Sequence, residues 1–149
     1  MMDRRQLVAL LGGATLAWPL ELHGQQPGRI YRLGFLSSLG DNPPYLALFN
    51  ELRRLGFIEH QNLTINSRGF GLRGDRFAEV AAELVKAPVD VVVAAGDVAI
   101  RAAQGATAII PILGSADDMV GSGLVASMAD PGGNTTGTRI FSTELDSKR

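Results

Sequence analysis

The chain has 149 residues, a formal net charge of −1, 46% hydrophobic residues and no cysteine. Near-neutrality without any block of like charges removes the electrostatic case for nucleic acid or an anionic membrane as partner. The lack of cysteine excludes thiol catalysis, thiolate metal sites, an acylated-cysteine anchor and the small disulfide-stapled folds.

The predicted elements begin with a leader. Arg4 and Arg5 form a basic head, and an apolar run from Leu7 to Leu20 follows, broken by Gly12, Gly13, Thr15 and Pro19. Leu22-His23-Gly24 then leads into the polar Gln25-Gln26-Pro27. This order reads as a secretory signal peptide over residues 1–24, and the paired arginines hint at the twin-arginine route. The run is shorter than the roughly 18–20 residues that a helix needs to cross a bilayer core. The expectation is an exported, soluble, periplasmic protein without a lipid anchor. Residues 25–149 suffice for one domain and not for two. With His23 in the leader, His60 is the one histidine left, so no multi-histidine site can form.

Ile30 to Leu36 reads as strand 1, followed by a polar loop from Ser37 to Asn42. Pro43-Pro44 opens a helix carrying Leu48, Phe49, Leu52 and Leu55 at helical spacing, which stops at Gly56. Leu63 to Ser67 alternates apolar and polar residues, the pattern of a half-exposed strand near a sheet edge. Phe77, Val80, Ala81, Leu84 and Val85 form the apolar stripe of an amphipathic helix. Val89 to Ala95, interrupted by Asp90, suits a central strand buried on both faces. Asp97 is placed to cap a third helix from Val98 to about Ala106. Ile109 to Gly114 reads as strand 4 with Pro111 at its beginning, Val120 to Met128 as a short helix, and Thr135 to Phe141 as strand 5. Thr143-Glu144-Leu145 starts a further helical pattern.

Strands alternating with helices imply an α/β fold: a doubly wound parallel sheet with right-handed crossovers, of order 2-1-3-4-5. Ligands in such folds sit beyond the carboxyl ends of the strands, where the strand order switches. That rule selects the loops after strands 1, 3 and 4: Ser37-Ser38, Ala95-Gly96-Asp97, and Gly114 to Asp118. Free backbone N–H groups at the helix starts there suit an anionic group, and the aspartates suit an ammonium. Plain helix capping would by itself explain Asp97 and one of Asp117 and Asp118.

Gly69-Phe70-Gly71-Leu72-Arg73-Gly74 matches the dinucleotide fingerprint G-x-G-x-x-G. Its helix starts only after the last glycine and its strand is edge-like, so a flexible glycine loop is the better reading. An exported nucleotide- or flavin-binding enzyme stays as the rival. Pro131 to Gly137 lacks the Lys-Ser/Thr pair of a Walker loop and reads as a tight turn into strand 5. His60 falls in a loop at the amino end of strand 2, away from the ligand end, and no nucleophile–base constellation is present. The chain reads as a non-enzyme, and no cofactor or metal is implied.

Several segments carry a family likeness. They are Arg4 to Ala14 and Ala17-Trp18-Pro19-Leu20 in the leader, Leu33 to Ser38, Leu55 to Leu63 and, most specifically, Gly123 to Gly137. Together these resemble the periplasmic substrate-binding proteins of ABC importers, of the type linked to tryptophan and tyrosine uptake. The resemblance implies a type I clamshell of two α/β lobes with solute held between them, of which residues 25–149 would be the N-terminal lobe. It implies ligand contacts at Ser37, Ser38, Gly96, Asp97, Ser115, Asp117 and Asp118. The implied partners are a small-molecule solute, with an amino acid or aromatic acid leading, and an ABC permease in the inner membrane. Where the family often has Asp-Pro-Val, this chain has Asp118-Met119-Val120. Against that resemblance the second lobe is missing, so the chain is expected to be a fragment or a natural truncation, and a truncated, non-binding lobe that self-associates through its open inter-lobe face is the second rival.

Overall fold

The computed structural model describes residues 28–40 and 43–139. The leader, the far end of the fifth expected strand and the helical pattern from Thr143 lie outside the described residues. Within them the chain runs β1 (Tyr31–Leu36), α1 (Pro43–Arg54), β2 (Leu63–Asn66), α2 (Phe77–Lys86), β3 (Val91–Ala95), α3 (Asp97–Ala106), β4 (Ile112–Ala116) and β5 (Thr135–Arg139). The strands pair in parallel in the order β2-β1-β3-β4-β5, as the alternation of elements predicts.

The order follows from two chain reversals. The connection from β1 to β2 moves one way along the sheet and that from β2 to β3 moves back. Right-handed crossovers then put their helices on opposite faces. Tyr45 and Phe49 of α1 pack on Phe35 and Val93 of the sheet, with Phe70 beside them. Phe35 stacks on Phe70 at 4.8 Å and meets Tyr45 edge-on at 5.7 Å, contacts worth about 1 kcal/mol each beyond their buried area. The opposite face holds the larger core, where Leu84 of α2 and Ile100 of α3 pack with Leu36, Val92, Ile112 and Met119. β3 is buried on both faces at Val92, Val93 and Ala94, which is why its sequence is continuously apolar. β2, paired on one side only, keeps the alternation of an edge.

Three expectations need correction. Asp97 does not cap α3: the cap is Gly96, at φ +88°, and no side chain bonds to the helix start. Glycine reaches this positive φ without a Cβ penalty, and the helix then starts at Asp97, which lies inside the first turn. The fourth strand begins after Pro111 rather than at Ile109, and it reaches Ala116. The Thr107 hydroxyl accepts the N–H groups of Ile109 and Ile110 at 3.1 Å, holding them in a turn, and Ile109 is 89% exposed. The third concerns Val120–Met128, which is a chain of turns and bends, not a helix. Asp118 takes the N–H of Gly121 at 2.9 Å, and Gly123, at φ +68°, turns the chain away from helical geometry.

Candidate functional site

The carboxyl ends of the strands form one rim, and its geometry comes from the backbone first. Ser37, immediately after β1, is fully buried. Its N–H donates to the Gly69 carbonyl at 2.7 Å, and its own carbonyl accepts from Leu72 N at 3.1 Å. Its hydroxyl accepts the N–H of Leu39 at 3.0 Å. Ser37 therefore braces the glycine-rich segment 69–74 against β1, and the exposed Ser38 follows it at the rim.

Across the rim, Gly96 donates its N–H to the Ser115 carbonyl at 2.8 Å, and its carbonyl accepts the first α3 bond, from Ile100 N at 3.0 Å. α3 thus starts level with the end of β3, its first N–H groups free of side-chain caps. Ser38, Gly96 and Asp97 line one shallow pocket of about 240 Å³, together with Gly74, Phe77 and Val98. This pocket lies over β1 and β3, the neighbours at which the strand order switches direction.

Ser37, Ser115, Asp117 and Asp118 do not line that pocket. Ser115 is held inside β4 by pairing with Ala95 and Thr138. Asp118 serves the turn at Gly121, and the guanidinium of Arg139, at the end of β5, lies 3.9 Å from its carboxylate. Arg139 Nε also donates to the Asp117 carbonyl at 3.3 Å. The rim therefore has two parts: a pocket at β1–β3 and a charged corner at β4–β5.

Sequence reasoning missed Val98, Phe77, Gly74 and Arg139. Val98 carried a usable signal, because an apolar residue directly after a polar strand-to-helix turn, here 59% exposed, has no core to fill. Phe77 had none, since its place in the apolar stripe of α2 already accounted for it.

The dinucleotide pattern at Gly69–Gly74 is arranged otherwise than the fingerprint requires. The N–H groups of Phe70, Gly71 and Leu72 go to the carbonyls of Ser67, Leu39 and Ser37 at 3.0, 3.3 and 3.1 Å. α2 begins only at Phe77, after a 3₁₀ turn over Gly74–Arg76. Amides already spent within the loop are not offered to a pyrophosphate.

No protein-family profile and no characterised protein matches the sequence. Among solved structures, the chain is similar to CD0873, a substrate-binding protein with adhesive properties from Clostridium difficile, in its ligand-free, open form. The TM-score is 0.68 at 26% identity, over 76% of this chain and 40% of that one. The fold is that of one lobe of a substrate-binding protein. A conserved domain protein from Vibrio cholerae superposes with the lobe at TM-score 0.70 and 25% identity, over 80% of this chain and 42% of that one. An ABC domain from Streptococcus pneumonia in complex with L-Trp shares the fold at TM-score 0.60 and 24% identity, over 74% and 38%. The lobe thus spans about two fifths of the length of the solved chains it matches.

Proposed function

We propose that this chain is a solute-capturing lobe of an ABC importer's substrate-binding protein, and no enzyme. The observation that carries the reading is the pocket of Ser38, Gly96 and Asp97 at the strand-order switch, on a fold shared with substrate-binding proteins. Its chemistry suits an amino acid. The uncapped start of α3 offers N–H groups and the positive end of the helix dipole to a carboxylate. The Asp97 carboxylate suits an ammonium, and the exposed Val98 gives an apolar side chain a surface to lie on. An aromatic amino acid or aromatic acid is the leading solute, with Ser37, Ser115, Asp117 and Asp118 supporting the rim or meeting the ligand once the cleft closes.

The N-terminal basic and apolar pattern supports export to the periplasm, with an inner-membrane permease as the partner that receives the solute. Closure of a second lobe over this rim would bury the rest of the ligand and tighten its binding.

A thermal-shift and calorimetric screen of L-tryptophan, L-tyrosine, L-phenylalanine and phenylacetate tests the reading. Binding of at least one, weakened in Asp97→Asn for the amino acids but not for phenylacetate, is the expected result. Tight binding of NAD or FMN, or no binding in either the lobe or a form extended by the parent gene, would overturn it.

A further inference from the structure

A second hollow lies away from the rim, at the β2 edge of the sheet. Arg32 of β1 stands in register with Thr64 of β2, and Gly34 with Asn66. Arg32, Thr64 and Asn66 line a groove of about 200 Å³ walled by Pro88 and Val89. Asn66 also borders an adjoining hollow of about 270 Å³, which Arg68, Glu83 and Leu84 line. Beside it, Gly34 leaves room for Leu84 and Val89: a Cβ there would stand 3.2 Å from Leu84 Cδ2.

The donors in this groove are uncommitted. The backbone N–H of Arg32 goes to Asp90 Oδ2 at 2.8 Å, but its guanidinium has no ion-pair or hydrogen-bond partner among the described residues. The Thr64 hydroxyl and the Asn66 side-chain NH₂ are likewise unbonded to protein there, while Asn66 Oδ1 accepts from Arg68 N at 3.2 Å. The acids nearby are Asp90, whose other oxygen is taken by Arg29 at 3.1 Å, and Glu83, which faces Arg68 at 3.8 Å. Arg32 is the charged residue of the groove lining, and in the adjoining hollow Glu83 offsets Arg68.

We propose that this groove binds a small monocarboxylate with a short apolar tail. Arg32 would grip the carboxylate, since a guanidinium offers paired N–H groups that match two carboxylate oxygens. Thr64 and Asn66 add neutral donors, and the tail lies along Ala87, Pro88 and Val89. The single positive charge of Arg32 suits a monoanion; a phosphate dianion would keep a second charge unmatched there. This site is independent of the pocket at Ser38, Gly96 and Asp97.

Titration of hexanoate into ¹⁵N-labelled protein tests it. Saturable shifts are expected at the amides of Arg32, Thr64 and Asn66 and at the Arg32 side-chain Nε–H, with a concentration dependence separate from any response at Ser38, Gly96 and Asp97. Hexylamine and inorganic phosphate should leave the groove signals in place. Arg32→Gln should weaken hexanoate binding about tenfold, the effect of removing a charged, paired donor. If that variant fails to fold, the exposed Arg68→Gln decides, with an expected weakening of roughly threefold from lost local charge. No saturable shift, an equal response to hexylamine, or undiminished affinity in the folded variant would overturn the proposal.

Discussion

A Cβ on Gly69 would stand 1.6 Å from the carbonyl oxygen of Phe35. The two backbones are in contact there, and the Gly69 carbonyl accepts the N–H of Ser37 in the same place. The first glycine of the G-x-G-x-x-G pattern thus serves packing of one loop on the end of β1.

Gly69→Ala should therefore be strongly destabilising. The obstruction is a backbone atom, so no rotamer change relieves it, and a cost of about 3 kcal/mol is expected. Thermal denaturation should show a midpoint roughly 10–20 °C below that of the parent. A shift below a few degrees would mean that the two segments separate easily.

Ile100→Ala removes a fully buried side chain that packs between α3 and the sheet. A loss of about 3–4 kcal/mol is expected in urea unfolding, with an unchanged slope. Val98→Ala, on the same helix but 59% exposed, should stay within about 0.5 kcal/mol. Comparing the pair separates core packing from a residue available to a ligand.

Asn134 ties two loops together. Its side-chain NH₂ donates to the Thr107 carbonyl at 3.1 Å and the Ile110 carbonyl at 2.7 Å, fixing the turn before β5 to the turn before β4. Asn134→Ala should cost about 1–2 kcal/mol, since partly buried carbonyls lose their donors. Hydrogen exchange should quicken first at Ile112, whose N–H bonds the Asn134 carbonyl at 2.8 Å.

On the exposed side of α1, the Arg54 guanidinium bonds Glu51 and holds its carboxyl below the ordinary value. A lowered folded-state value means that the pair's small contribution is present above the unfolded value and fades as pH falls through the folded one. An NMR titration should find Glu51 ionising below the ordinary glutamate value, and Arg54→Ala should move it upward. An unmoved Glu51 would assign the shift to another cause.

Apart from the segment Val120–Met128, the order and type of the elements were legible from residue spacing alone. Phe77, Val80, Ala81 and Leu84 repeat at the helical period, and Val91–Ala95 is apolar throughout because both of its faces are covered. Segments whose backbone partners are distant or unusual misled the same reasoning. Thr107 and Pro111 delay β4, and Asp118 with Gly121 and Gly123 replaces a helix by turns, so local hydrogen bonds outweighed the periodic signal.

By itself, the sequence determined that this is an α/β chain with its polar, small-residue turns at the carboxyl ends of its strands, because periodicity and turn chemistry are local properties. Only the tertiary structure decided which of those turns meet. Strand order sets Ser38 beside Gly96 and Asp97, leaves Asp117 and Asp118 with Arg139 at another corner, and buries Ser37 as a brace. The strand order itself follows from the alternation of elements, but which side chains meet depends on register and packing between segments far apart in the chain, and no window of sequence contains those contacts.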